Sequence, residues 1–377
     1  MTKNNFFFPS FFLLLVLLIF FRSPCFFLGE GYWQIKYDSY YAYSLQNNFF
    51  KSIIYVYDYG GYFELARNII SKIASYFPFF SQKIDTYFSL LIYLTIFSYV
   101  YFSKSLIFYN KNYKILIVFL ILFSPPMTPE VWLTAPHIKT YFGLFTFLLL
   151  LQDTSVLNGT KKILYRFLII FSGLSSIYAS VFAPIFFVKY LFEKNKNNFL
   201  DFLCAAIPLA INILIFFNLL NNANRFAFDI GKIESFSYNI LVRPFFGSSI
   251  PNFFFNKLSI TNLETILIAI FLILIFSITF ALQIFKKKDK ITILIISSFI
   301  LHSAFVLVGS LYPNFVGGRY SVIPGIILLT LFIRFYQLEN NNFFKYLFGL
   351  LIFMSLLIGI VEFKYFSPLS YMLECKI

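Results

Sequence analysis

Charge is what this chain of 377 residues has least of: Asp, Glu, Lys and Arg make up 12% of it, against about a quarter in soluble domains. So little charge excludes a water-soluble globule. Histidine is nearly absent too, with only His137 and His302. One imidazole near Glu130 gives too few ligands for a dedicated metal site. The three cysteines, Cys25, Cys204 and Cys375, show neither CxxC nor metal-ligand spacing. They stand as bystander thiols, or as a Cys25–Cys375 pair if both face an oxidising side. Acids are the scarcer sign, 16 against 30 Lys and Arg, for a formal net charge of +14. The basic residues fall mostly in short loops between apolar runs, where the positive-inside rule accounts for them, so no nucleic-acid partner is implied.

What is present is apolar: 59% of the residues are hydrophobic, with 57 Phe and 27 Tyr. Phe, Ile, Asn, Lys and Tyr are enriched together, as in proteins encoded by AT-rich DNA, so aromatic abundance alone carries no function. The expected fold is all-α, a polytopic transmembrane helical bundle forming one membrane-embedded domain over 1–377, with about ten or eleven spans, some short or paired.

Residues 5–21 form the first apolar run behind Lys3; no small-residue cleavage site follows, so it is expected to stay as a span that starts in the cytoplasm. Residues 22–83 hold no run able to cross a ~30 Å core and read as an outer loop. Inside it, Tyr62, Leu65, Ala66, Ile69, Ile70, Ile73, Ala74 and Phe77 recur at helical spacing. Glu64, Arg67, Asn68, Ser71, Lys72 and Ser75 fill the other face, which predicts an interfacial amphipathic helix over 61–77. Further spans are expected at 86–102, from 115 to 124, and at 141–151, 202–220, 264–285, 291–311, 322–335 and 344–361. A second outer loop covers 221–263, and an outer turn 312–320. Lys161, Lys162 and Arg166 stand around the start of residues 163–192, and Lys189, Lys194 and Lys196 around their end. Both basic clusters belong on one side, so this segment is expected to turn back as two short helices hinged at 172–176.

The stretch densest in chemistry is Ser124 to Tyr141, with Pro125, Pro126, Pro129, Glu130, Trp132, Pro136, His137 and Lys139. Prolines end the preceding span near Ser124, so the stretch reads as a polar turn at the outer membrane surface.

Asp38 follows the first span, ahead of the 61–77 helix and the 163–192 hairpin. The chain also carries Pro125-Pro126 before Glu130, Gly173-Leu174-Ser175, Arg243-Pro244, and Gly318-Arg319-Tyr320 with Pro324. This order of features resembles the glycosyltransferase C superfamily and a set of bacterial membrane proteins related to it. The resemblance implies a glycosyltransferase of the bacterial inner membrane, with its active face outside. It would move a sugar from a lipid-phosphate-linked donor to a glycan or lipid acceptor. Asp38 would be the general base, although Ser39 stands where members carry a paired acid.

Glu130 is the second catalytic candidate. Arg319, behind Gly317-Gly318, is the first phosphate-binding candidate, with Lys139, His137, Arg243 and Tyr320 beside it. No cofactor is implied, and a divalent metal stays open. Each residue has a plainer reading: Asp38 and Asp58 as helix caps, Lys139 as a snorkelling anchor, Tyr320 as part of an aromatic belt. In the same vein, Arg225 and Arg243 read as solvated charge, and His302 as an imidazole bonded to a neighbouring helix. A transporter or flippase of lipid-linked saccharide, or a non-catalytic assembly protein, is the alternative.

Overall fold

The computed structural model describes residues 7–22, 24, 27, 38–57, 61–127, 131–218, 232, 236–247, 262–287, 289–309 and 318–362. Asp58, Glu130, Arg225, Cys25, Cys375 and the side chain of Arg319 lie outside the described part. Every regular element among the described residues is helical, apart from an isolated bridge between Ser105 and Gln152. After α1 (Phe7–Arg22) come three short helices, α2 (Ser39–Gln46), α3 (Phe49–Ile53) and α4 (Leu65–Tyr76). Then follow α5 (Ser81–Phe102), α6 (Lys111–Phe123), α7 (Ile138–Leu150), α8 (Gly159–Ser175), α9 (Ile177–Ser180), α10 (Ala183–Glu193) and α11 (Lys196–Asn218). The remainder is α12 (Arg243–Phe246), α13 (Asn262–Lys287), α14 (Lys290–Gly309), α15 (Val322–Leu338) and α16 (Asn342–Val361).

Helix starts coincide with side-chain caps. Asn110, Asn158 and Asn341 each accept a hydrogen bond from a first-turn N–H, at Tyr113, Lys161 and Phe343. Helix ends are closed by buried or half-buried lysines. Lys114 Nζ donates to Tyr101 O and Ser103 O at the end of α5, both at 2.7 Å. Lys189 Nζ donates to Leu150 O and Gln152 O after α7, and Lys72 Nζ to Ser44 O and Asn47 O after α2. An ammonium on the last carbonyls satisfies orphan acceptors and complements the helix dipole.

Among the described residues, four helices are long and apolar enough to cross a membrane: Pro78–Phe102, Lys196–Asn218, Lys290–Val308 and Asn342–Val361. Pro9–Arg22, Ile270–Leu282 and Val322–Leu338 are apolar but shorter. Several apolar runs fold as helices of 13 residues or fewer, such as α6, α7 and α10. At 1.5 Å per residue such helices reach roughly 20 Å, short of a ~30 Å core. Large apolar side chains are left exposed along the outer helices, among them Leu214, Phe271, Ile278, Leu350 and Phe353, as a hydrocarbon solvent permits.

The segment 163–192 does turn back. Its helix breaks at Ser176, in extended backbone between α8 and α9. The basic start of α8 and the end of α10 meet the same neighbours. Arg166 pairs with Asp201 near the start of α11 at 2.8 Å, Thr154 bonds Asn198, and Lys290 donates to Phe192 O. Arg334 pairs with Asp289 at 3.0 Å, and Gln337 reaches Ile107 O. These contacts gather one basic end of the bundle.

The opposite end is organised by the proline stretch, which is buried and not a surface turn. Ser124 to Met127 and Val131 to Ala135 are buried, and so is His137. Glycines admit the chain there: a Cβ on Gly325 of α15 would stand 2.8 Å from Pro126 Cγ and 3.1 Å from Pro244 Cγ. Pro125-Pro126, Arg243-Pro244 and the Pro324-Gly325 start of α15 thus meet at one crossing. Leu133 sits at φ +48°, a left-handed conformation that costs a leucine about 1–2 kcal/mol. Its N–H donates to Tyr141 Oη at 2.9 Å, and that hydroxyl donates to Val131 O. Ala135 N–H donates to the buried Asp85 carboxylate at 2.5 Å. Irregular backbone at this depth is stable because the protein itself satisfies it.

Candidate functional site

A four-residue chain of alternating charge lies at the proline end. Asp38 caps α2, its Oδ1 accepting from Tyr40 N–H at 2.9 Å, and its Oδ2 takes a fork from Arg67 Nε and Nη2 at 3.1 and 2.8 Å. Arg67 Nη1 also donates to Glu64 Oε2 at 2.8 Å, and Lys139 Nζ to Glu64 Oε1 at 2.9 Å. The Arg67 guanidinium lies 4.1 Å above the Tyr40 ring, and Lys139 Nζ is 2.5 Å from Tyr62 Oη.

Local structure places each member. Asp38 prefers the cap because its carboxylate takes a free first-turn N–H. Glu64 immediately precedes α4 and Arg67 follows one turn later on the same face. Lys139 is in the first turn of α7, whose start is anchored by Ser176 Oγ donating to Lys139 O at 2.6 Å. The break in the 163–192 hairpin therefore supports the site, as does Ser175 Oγ, which accepts from Ala66 N–H at 3.2 Å. Asn212 of α11 accepts from Phe63 N–H and donates to Ser180, each at 2.9 Å.

The polar face of α4 is turned inward, against the expectation of a helix lying in the interface with that face to water. Asn68 donates to Ile53 O and Tyr55 O, and Lys72 closes α2, so this face staples α2 and α3 over the bundle. These short segments leave carbonyls that only side chains can satisfy, and the polar stripe of α4 satisfies them.

Electrostatics follow from the chain of pairs. Burial pushes the Glu64 carboxyl up, but Lys139 and Arg67 outweigh it and hold the group below its ordinary value of 4.5. For Arg67 burial acts against the charge, and Glu64 and Asp38 overcome it, so the guanidinium holds its proton more tightly than usual. Exposure is unequal: Arg67 and Lys139 keep 13% and 16% of their side-chain surface, while Asp38 and Glu64 keep 3% and 2%. In each pair the cation keeps more surface than the acid it is bonded to.

Of the residues singled out in the sequence, Asp38 and Lys139 belong to this cluster. Asp38 is both a helix cap and an ion-pair partner, and Lys139 is a half-buried partner of Glu64. His137 is buried in the turn Ala135–His137 that leads into α7. Arg243 is not solvated: it is buried in α12, with Nη1 3.4 Å from Asn239 Oδ1. Tyr320 is half-buried in the turn Gly318–Ser321 entering α15. Glu64, Arg67 and Asp85 were not singled out by sequence reasoning. Their signal was an acid and an arginine three residues apart on a polar stripe, which read equally as solvated surface. His302 of α14 is buried among the rings of Tyr178, Phe182 and Phe305, and among the described residues neither of its nitrogens has a hydrogen-bond partner, unlike the bonded imidazole expected.

No protein family, curated protein or solved structure matches this chain.

Proposed function

We propose that this is a multi-pass protein of the bacterial inner membrane, with the basic end in the cytoplasm and the charged cluster at the outer face. On this reading it transfers a sugar from a lipid-phosphate-linked donor to an envelope glycan or lipid acceptor. The observation that carries the reading is the cluster itself: two cations that each keep part of their surface, held on two nearly buried carboxylates. A guanidinium fork and an ammonium suit phosphate oxygens. The resemblance in the order of sequence features supports the choice of a sugar.

The acceptor oxygen attacks the anomeric carbon as the bond to the phosphate oxygen breaks, and the phosphate leaves with the electron pair. Arg67 and Lys139 stabilise the charge that grows on it. Asp38 takes the acceptor proton on Oδ1, where Tyr40 N–H uses one of two acceptor sites. An arginine held on a carboxylate weakens it as a base, so the donor phosphate has to share Arg67 for Asp38 to act. The displacement inverts the anomeric centre. Arg319, His137, Arg243 and Tyr320 are kept as further donor contacts, and Glu130 as a second carboxylate.

The test is transfer of a radiolabelled sugar from a polyprenyl phosphate donor to envelope acceptors by protein in nanodiscs. Asp38→Asn keeps a capping oxygen and is expected to bind donor while losing transfer. Full activity of that variant would overturn the base assignment. Passage of intact donor between leaflets without transfer would replace the enzyme by a flippase.

A further inference from the structure

His302 is 1% exposed, and neither imidazole nitrogen has a hydrogen-bond partner among the described residues. A buried donor or acceptor left without a partner is costly, and native proteins seldom leave one without protein, water or ligand to satisfy it. Ser303 Oγ, on the next residue of α14, is also buried with no partner among the described residues, while three other polar groups near the ring wall are bonded elsewhere. Ser176 donates to Lys139 O, Ser180 to Gly173 O, and Asn212 to Ser180. The imidazole is instead walled by rings, with centroids at 5.7 Å for Tyr178, 5.5 Å for Phe182 and 6.3 Å for Phe305.

Tyr178 joins this place to the charged cluster. It stands two residues after the break at Ser176, packs its Cβ against Gly143 of α7, and lies within electrostatic reach of the Lys139 ammonium. His302 is seven residues from the end of α14 at Gly309, so it lies about 10 Å below that end of the helix.

We infer that His302, with Tyr178, Phe182 and Phe305, forms an inner subsite for an uncharged, hydroxyl-bearing group, the sugar of the substrate. A neutral imidazole offers one N–H and one lone pair. Hydroxyls serve both, because each donates and accepts, whereas a phosphate or carboxylate would serve only the N–H. Aromatic walls with a few directed polar groups are how such sites fix an uncharged ligand. Water has the same hydroxyl chemistry, so the test separates the two sources. The inference takes its ligand class from the reading above, while the orphaned imidazole is independent of it.

Two histidines make the experiment direct. Protein labelled with ¹⁵N-histidine, in bilayer nanodiscs, shows two imidazoles, and His137→Gln assigns them. Octyl glucoside, kept below its micellar concentration, is titrated against a sugar-free octyl polyoxyethylene. The glucoside is expected to move the His302 nitrogens saturably, and the sugar-free compound to leave them in place. His302→Phe should weaken glucoside binding about tenfold, the loss of one net hydrogen bond, and His302→Gln, which keeps a donor and an acceptor, should restore much of it. Thermal unfolding of each variant separates misfolding from lost binding, and if neither variant folds the wild-type titration decides alone. His302 resonances indifferent to the glucoside overturn the inference in favour of bound water, and they do so even if Arg67 and Lys139 still select a lipid phosphate. A saturable shift in a protein that transfers no sugar would sink the enzyme and leave the subsite standing.

Discussion

Lys139 Nζ lies 2.9 Å from Glu64 Oε1, across 75 residues of chain, and this bond joins the short-helix layer to the bundle. Glu64 is shared with Arg67, and Arg67 with Asp38, so removing Glu64 strands Lys139 and removing Arg67 strands Asp38. Stranding a buried charge costs about 3–5 kcal/mol, well above the worth of an exposed pair.

Glu64 gives this energy a pH signature. Its carboxyl is held below 4.5 in the folded state, so its contribution is complete above that value and is lost as pH falls through the lower, folded one. Thermal unfolding in detergent should show this acid limb in the wild type and a smaller one in Glu64→Gln. At pH 7 the variant should lose about 3 kcal/mol. An unchanged acid limb would mean that Glu64 is not ionised in the folded protein.

The crossing of Pro126, Pro244 and Gly325 predicts a contrast between two glycines. Gly325→Ala puts a methyl into two rigid proline rings and should destabilise by about 1–3 kcal/mol. Gly159→Ala, at the start of α8 with nothing within 4 Å, should be neutral or stabilise by up to ~1 kcal/mol. Similar melting temperatures for the two would contradict the close packing at Gly325.

Topology is checked by labelling single cysteines in a cysteine-free background. Lys161→Cys and Lys196→Cys are exposed at the two basic ends of the hairpin and should react from the cytoplasm, with exposed Lys51→Cys of α3 reacting from outside. Reaction of positions 161 and 196 from opposite sides would remove the hairpin.

Much of this arrangement was legible in sequence. Apolar periodicity placed the helix found at Leu65–Tyr76, and the conflict between basic clusters located a break found at Ser176. What stayed hidden was which way polar groups point. Arg67 and Lys72 look like a solvated stripe until the carbonyls and carboxylates of α2 and α3 are brought over them. The proline stretch looked like a surface turn because prolines and polar residues favour turns. Its burial depends on Asp85 and Tyr141, partners whose side chains sequence spacing does not aim.

The central claim is that Arg67 and Lys139 receive a lipid-linked phosphate. Native mass spectrometry of the protein with a polyprenyl phosphate and the matching polyprenol, which differ only in the phosphate, tests it most directly. The wild type is expected to prefer the phosphate by about tenfold or more, the worth of one or two charge-assisted hydrogen bonds. Glu64→Gln with Lys139→Gln removes one cation without stranding its partner and should erase most of that preference. Equal binding of phosphate and alcohol by the wild type, or a preference untouched in the double variant, would contradict the account.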